Sequence, residues 1–217
     1  MQHTQQEAFW AGEFGREYTD RNSRHLADWN DFYRRTWGLT KPEMNQRFLG
    51  GLPADSRILE VGCNTGMQLR GLQEAGFTQL YGVELQAYAV EKAKEYTQHL
   101  NLVQGSGFDL PFKDSFFDVV CTNGVLIHIA PADLPQLMAE MVRCSRRYLW
   151  GFEYYAPTTT AIPYRGNEGF LWKADFAQLF LDNFPNLRLV KRELYPYVSA
   201  PEQGNTDAMY LLEKLPD

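Results

Sequence analysis

The chain has 217 residues, 14% of them aromatic, and a formal net charge of −6, a length that suits one domain with appended elements. An acidic chain offers no basic surface to a phosphate backbone, and three cysteines at unpaired spacings favour neither a disulfide framework nor a metal site, so we expect no nucleic acid and no metal. No apolar run approaches the roughly 20 residues that cross a bilayer and no signal-peptide pattern opens the chain, so we expect a cytoplasmic protein without a membrane partner.

Two regions follow one another along the chain. Residues 1–50 carry apolar and aromatic side chains at mostly helical spacing, which predicts an N-terminal helical cap. Residues 51–217 are predicted to form one compact unit with that cap, because no linker separates the two. Within them the predicted strands are RILEV (57–61), LYGVEL (80–85), LNLV (100–103), FFDVVCT (116–122), YLWGFEYY (148–155), LRLVKREL (187–194) and AMYLLEKL (208–215).

Predicted helices separate most of these strands. They cover approximately residues 65–75, 87–96, 132–144 and 174–181, and a loop is predicted over residues 156–169. Strands that alternate with helices are typical of a parallel sheet covered on both faces. The fold class predicted is therefore α/β, with a doubly wound, mostly parallel sheet of seven strands.

The strongest motif is ILEVGCNTGMQL (58–69), an apolar strand followed by a glycine turn and a helix. Glycines let the backbone turn tightly and approach a ligand, and the helix that follows presents unpaired N–H groups. Glu60 precedes Gly62 in this motif. A second acid, Glu84, closes the next strand, where doubly wound folds place the carboxylate that holds a ribose diol. Two carboxylates and a glycine turn indicate a nucleoside site.

The glycine spacing discriminates between nucleoside ligands. Asn64 stands where a dinucleotide fingerprint has its second glycine, which disfavours NAD and FAD. The E-x-G-x-x-x-G form resembles the first motif of the class I S-adenosylmethionine-dependent methyltransferases, and the resemblance continues at GSGFDLPF (105–112), FDVV (117–120) and NGVLIHI (123–129). It implies a Rossmann-like fold, S-adenosylmethionine (SAM) as cofactor, S-adenosylhomocysteine (SAH) as product, and a small-molecule substrate.

The same resemblance implies a role for each matching position. Glu84 would hold the ribose hydroxyls, Leu85 would pack on the adenine, and residues 123–125 would lie under the sulfonium. The family usually follows its third strand with Gly-Asp, whose carboxylate contacts the adenine amino group, whereas this chain has Gly105-Ser106; the serine hydroxyl or the next two residues are the replacements we expect. The expected cofactor-binding residues are Glu60, Gly62, Asn64, Gly66, Glu84, Leu85, Ser106, Gly107, Phe108, Asn123, Gly124 and Val125.

A narrower resemblance lies outside the cofactor motifs. FWAGEFGREYTDRN (9–22) and EYYAPTTTAIPYRGNEGFLWKADF (153–176), together with VLIHI (125–129), are similar to the methylases associated with pseudaminic acid biosynthesis. This similarity implies an amino sugar or nucleotide-linked sugar of that pathway as the methyl acceptor.

Candidates for proton transfer and substrate binding lie at the ends of the fourth and fifth strands. His128 is the best-placed general base, although a buried histidine that bonds a loop is the structural alternative. Glu153 and Tyr155 are the other catalytic candidates. A hydroxyl acceptor would need such a base, whereas a carboxylate acceptor would not. The expected substrate-binding residues are Tyr18, Arg21, Tyr154, Tyr164 and Arg165.

Two other classes of function stay open on the sequence. The chain could bind SAM or SAH without catalysis, for which the missing Gly-Asp acid is the only hint. It could also be a nucleotide-dependent oxidoreductase on a related fold. Retention of an adenosyl thioether or of a nicotinamide by the purified protein would distinguish the two.

The aromatic residues are unevenly distributed. Residues 9–37 and residues 148–172 hold eight aromatic side chains each, of 31 in the chain, and together contain all five tryptophans. An ordinary core would spread them more evenly. We therefore predict that these two segments meet over the carboxyl ends of the strands and form an aromatic-walled acceptor pocket.

Overall fold

The computed structural model describes residues 4–22, 25–199 and 203–216. The helices are α1 (Gln5–Ala11), α2 (Glu13–Asn22), α3 (Leu26–Trp37), α4 (Lys41–Leu49), α5 (Met67–Glu74), α6 (Ala87–Tyr96), α7 (Leu134–Cys144) and α8 (Phe176–Asn183). The strands are β1 (Arg57–Val61), β2 (Gln79–Glu84), β3 (Asn101–Gln104), β4 (Phe117–Asn123), β5 (Ser145–Tyr154), β6 (Thr160–Ala161), β7 (Trp172–Lys173), β8 (Leu187–Pro196) and β9 (Thr206–Lys214). A short 3₁₀ turn, Leu126–His128, follows β4.

Seven of these strands form one sheet in the order β3-β2-β1-β4-β5-β9-β8. The first five are parallel, and β9 runs antiparallel to both β5 and β8. The α/β, doubly wound, mostly parallel seven-stranded sheet predicted from the sequence is confirmed. One local difference concerns the predicted loop 156–169. It contains the strand β6, which pairs with β7, just beyond the loop, to form a separate two-stranded sheet.

Burial along the strands follows from their positions in the sheet. Four of the five residues of β1 are buried, as expected for a central strand with helices on both faces. The edge strand β8 instead exposes Leu189, Val190 and Leu194. The chain reverses direction between β1 and β2 through α5, which begins at Met67 because Gly66 takes a left-handed conformation with φ of 74°.

Each face of the sheet has its own hydrophobic core. On one face α7 and α8 pack against the strands through buried side chains such as Met141 and Phe180. On the other face α3, α4 and α5 contribute Tyr33, Met44 and Leu72 to the second core. Half of the N-terminal cap is therefore part of the main core.

The first two helices lie across the carboxyl ends of the strands. The side-chain amide of Gln86, at the start of α6, donates hydrogen bonds to the carbonyl oxygens of Trp10, Ala11 and Gly12, at 2.9 to 3.2 Å. The amide of Gln6 donates to the carbonyl of Gly169 at 3.1 Å. The α1–α2 pair therefore bridges β2 and the loop before β7. Throughout the described residues, every helix is too short or too polar to cross a membrane.

Candidate active site

A cavity of about 620 Å³ lies at the carboxyl ends of the parallel strands, beneath the α1–α2 pair. Its volume falls within the range of about 300–1,000 Å³ typical of small-molecule sites. Carboxyl ends of parallel strands are where open α/β sheets bind ligands, because the strand order reverses there. The predicted site residues that line it are Tyr18, Glu60, Gly62, Asn64, Glu84, Leu85, Gly107, Phe108, Asn123, Gly124, Val125, His128, Tyr154, Tyr164 and Arg165.

The glycine turn after β1 forms one end of the cavity. Gly62 has a φ of 73°, and a Cβ atom there would lie 2.7 Å from Cγ2 of Val125, so no side chain fits. Asn64 also has a positive φ, of 47°, and its side-chain amide donates to the Thr19 hydroxyl of α2 at 2.9 Å. Gly66 lies behind the turn, where its role is to begin α5.

Glu84 ties the end of β2 to the glycine turn. Its two carboxylate oxygens accept hydrogen bonds from the backbone N–H groups of Asn64 and Gln86, both at 2.8 Å. Burial raises the pKa of Glu84, and these backbone donors act in the opposite direction. A carboxylate has about four acceptor positions, so Glu84 can also accept hydrogen bonds from two hydroxyls in the cavity.

A group of buried ionisable side chains lies beneath the end of β4. Burial raises the pKa of Glu60 to about 8 and lowers that of Lys41 to about 7. The Lys41 ammonium donates to Oδ1 of Asn123 at 2.8 Å and lies 3.9 Å from the ring centroid of Phe152. Asp207 of β9, also with a pKa raised by burial to about 7, reaches the cavity wall beside them.

Lys41 and Asp207 are site neighbours that the sequence motifs did not predict. The contact between Lys41 and Asn123 joins residues 82 positions apart, which no local pattern reveals. One signal was present: a lysine at the first position of a helix opposes the helix dipole, so its placement needs another reason. Asp207 lies directly before the apolar run of β9, which is a weaker signal because an acid is common at a strand end.

Glu153, a predicted catalytic residue, is not among the residues that line the cavity. Its carboxylate oxygens accept hydrogen bonds from the backbone N–H groups of Val125 at 3.2 Å and Ile127 at 3.4 Å. Burial raises its pKa to about 7. These hydrogen bonds tie the end of β5 to the turn after β4.

His128 does reach the cavity, on the last residue of the 3₁₀ turn. Its Nδ1 lies 2.7 Å from the carbonyl oxygen of Phe170, and since a carbonyl only accepts, we assign the proton to Nδ1. Burial lowers the pKa of His128 to about 4, so the ring is neutral at pH 7 and Nε2 is an acceptor. A low pKa makes the ring a weak general base.

Three further predicted residues lie away from the cavity wall. Arg21 is on the surface, where it pairs with Glu17 at 3.3 Å. Tyr155 follows β5, and its backbone N–H donates to the carbonyl of Thr206. Ser106 lies behind the wall, and its hydroxyl contacts Glu7 of α1, a residue that our sequence reasoning did not include.

The two aromatic segments meet as predicted, over the carboxyl ends of the strands. The rings of Phe9 and Phe170 stack at 4.1 Å between centroids, and the ring of Trp10 lies 4.5 Å from that of His128. Tyr164 contacts the same group of rings at 5.0 Å from His128. Not every ring takes part, because Trp150 is buried in the second hydrophobic core and Tyr148 packs against that core.

Metal ligands do not cluster in this site. Within residues 4–22, 25–199 and 203–216, no group of three or more His, Cys, Asp or Glu side chains is arranged to hold a metal ion.

Comparisons with known proteins agree with this geometry. Residues 59–147 match the family model described as a methyltransferase domain. The chain is 32% identical over 127 residues to the 2-phytyl-1,4-naphtoquinone methyltransferase of Trichormus variabilis, a match that covers 54% of this chain and 52% of that protein. The chain thus spans about half the length of this curated relative.

Solved structures share the fold over nearly the whole chain. The 1,6-didemethyltoxoflavin-N1-methyltransferase of Burkholderia thailandensis, solved with bound 1,6-didemethyltoxoflavin and SAH, superposes with a TM-score of 0.71 at 15% identity, over 100% of this chain and 92% of that one. A protein of Pyrococcus horikoshii superposes with a TM-score of 0.67 at 17% identity, over 94% and 99% of the two chains. Residues 59–147 are therefore similar to a methyltransferase domain, and the chain shares the Rossmann-like α/β fold of these solved structures.

Proposed function

We propose that this chain is a SAM-dependent methyltransferase that acts on a small polar molecule. The observation that carries the proposal is that one cavity has two different parts. The glycine turn and Glu84 line one part, and the aromatic rings around His128 and Tyr164 line the other. Methyl transfer requires a nucleoside cofactor and an acceptor side by side in a space that excludes water. One continuous cavity with two chemically different halves suits that requirement.

The residues at the ends of β1 and β2 fit SAM. Glu84 can accept hydrogen bonds from the ribose hydroxyls, and the absence of a side chain at Gly62 leaves space for the methionine moiety. Oε2 of Glu60 is buried without a hydrogen-bond partner among the described residues, which a ligand ammonium group would supply. When bound, SAM provides an electrophilic methyl group on a cationic sulfur.

The other half of the cavity suits a small polar acceptor. Its aromatic walls carry the hydroxyl groups of Tyr18, Tyr154 and Tyr164, and Arg165 lies at the same end. Residues 9–22 and 153–176, which resemble the pseudaminic acid methylases, supply much of this wall. We therefore propose an amino sugar or a nucleotide-linked sugar of that pathway as the acceptor.

Proton removal is a small part of the proposed reaction. A neutral His128 can accept a hydrogen bond from an acceptor hydroxyl through Nε2, and the Phe170 carbonyl holds the ring in that orientation. Burial lowers the pKa of His128 to about 4. The ring is therefore better suited to orienting the acceptor hydroxyl than to accepting its proton. The protein contributes mainly by positioning the acceptor and excluding water.

Mass spectrometry with methyl-labelled SAM tests the proposal. The panel contains free and nucleotide-linked amino sugars, together with a naphthoquinol and 1,6-didemethyltoxoflavin, because related proteins are named for acceptors of those kinds. We expect one amino sugar to gain a labelled methyl group with the wild-type protein and none with a Glu84→Ala control. Transfer to the quinol or the toxoflavin precursor alone would overturn the sugar assignment.

Two outcomes would overturn the activity itself. Tight SAH binding without transfer to any member of the panel would favour a binding module without catalysis. Purified protein that retains a nicotinamide cofactor and binds no SAH would favour an oxidoreductase.

A further inference from the structure

The end of β3 is where a nucleobase would lie in this cavity. The glycine turn follows β1, Glu84 closes β2, and β3 is the next strand of the sheet. A nucleoside whose ribose contacts Glu84 and whose tail contacts the glycine turn must extend its base away from β1, towards β3. The wall there consists of Leu85, Gly107 and Phe108, which offer a flat apolar surface to a planar base.

A carboxylate reaches this wall from a distant part of the chain. Glu7 of α1 is only 8% exposed and lines the cavity next to the β3 turn. One oxygen accepts a hydrogen bond from the Ser106 hydroxyl at 2.5 Å, and the other accepts one from the backbone N–H of Thr4 at 3.0 Å. The Ser106 hydroxyl in turn accepts a hydrogen bond from the N–H of Phe108 at 3.0 Å. Ser106 therefore links the β3 turn to Glu7.

We propose that Glu7 recognises the amino group of the adenine and so gives the site its nucleobase specificity. This inference rests on the proposed function, because it presumes an adenosyl cofactor. An ionised carboxylate only accepts hydrogen bonds, which matches an amino group and repels a carbonyl oxygen at the same position.

Because Glu7 belongs to α1, recognition of the nucleobase depends on the position of this helix. Glu7 can face the base only while α1 lies over the cavity, where Gln86 and the Gly169 carbonyl hold it. Ser106 carries no carboxylate of its own, but its hydroxyl donates a hydrogen bond to that of Glu7. The helix that covers the cavity thus also contributes to ligand recognition.

Isothermal titration with two nucleosides tests this assignment without any methyl acceptor. SAH carries a 6-amino group, and S-inosylhomocysteine carries a 6-oxo group in its place. We expect the wild-type protein to bind SAH more tightly by about 10- to 100-fold, the range of a charge-assisted hydrogen bond. In Glu7→Gln the two ligands should bind within about threefold of each other, because an amide can donate as well as accept.

The substitution preserves the helix, since glutamine satisfies the same capping box. Glu13→Gln, at an exposed position of α2, is the matched control and should keep the wild-type preference. Equal binding of both ligands by the wild-type protein, or an unchanged preference in Glu7→Gln, would overturn the assignment. Failure of the wild-type protein to bind either ligand would instead overturn the proposed function.

Discussion

Glu60, Lys41 and Asp207 are ionisable side chains that are at most 3% exposed. Buried charges cost free energy, and well-packed apolar residues often stabilise a fold as well or better. Burial shifts the pKa of each group in the direction that favours its uncharged form. All three groups surround the end of β4. Buried groups with shifted pKa values beside a cleft are frequent at functional sites.

Glu60→Gln should change the pH dependence of stability. The pKa of Glu60 rises from 4.5 to about 8 on folding, so the folded state keeps a proton that the unfolded chain loses between these values. The stabilisation is complete below pH 4.5 and is lost as the pH rises to 8, with a slope of up to about 1.4 kcal/mol per pH unit. Without this group, the free energy of unfolding should fall less steeply from pH 5 to pH 8.

Urea denaturation of the ligand-free protein measures this difference. Glu91→Gln serves as the control, because Glu91 is exposed and pairs with Lys94 on the surface of α6. Parallel pH profiles for wild type and Glu60→Gln would show that Glu60 ionises normally in the folded state.

The predicted site residues that line the cavity belong mostly to short sequence motifs. Gly62 and Glu84 were predictable because a glycine turn and a strand-ending acid produce short sequence patterns. Glu7 and Lys41 were not, because their contacts with Ser106 and Asn123 join positions 99 and 82 residues apart in the chain. Long-range packing of the cap onto the sheet brings these two residues into place.

At the level of elements, periodicity was a reliable guide. The helix predicted over residues 87–96 has those bounds in the structure, because apolar positions recur on one face and a loop bounds each end. The two-residue strands β6 and β7 were missed, since two residues cannot show a period. The α1–α2 break at Gly12 was also missed, because the sequence remains helical in character across it.

Gly15→Ala should loosen the α1–α2 pair. A Cβ atom at Gly15 would lie 1.8 Å from the Trp10 carbonyl oxygen, so the two helices must separate. We expect amide exchange in residues 4–22 to rise by about tenfold or more, and SAH binding to weaken as Glu7 is displaced. Hydrogen exchange with mass spectrometry gives the readout.

Gly51→Ala is the matched control, because no atom lies within 4 Å of the added Cβ. Unchanged exchange over residues 4–22 in Gly15→Ala would mean that the close approach of the two helices is not needed to hold them.

For the whole molecule, the two halves of the cap contribute differently to stability. The α3–α4 half buries large apolar side chains in the core: Tyr33, Trp37, Met44, Phe48 and Leu49. At about 1.5–3 kcal/mol for each buried side chain, they contribute about 10 kcal/mol, comparable with the net stability of a typical domain. The most deeply buried side chains of the α1–α2 half are instead polar: Gln6, Glu7 and Thr19. That half therefore covers the cavity without supporting the core.

Two truncations separate these roles. A variant without residues 1–22 should unfold cooperatively at a somewhat lower temperature and bind SAH weakly, because Glu7 and the cover of the cavity are gone. A variant without residues 1–50 should show no cooperative transition and should bind a hydrophobic dye, because one face of the sheet is uncovered. Calorimetry and dye fluorescence distinguish the two. Cooperative unfolding of the shorter variant would show that residues 51–217 fold alone, and would contradict the proposal that cap and sheet form one unit.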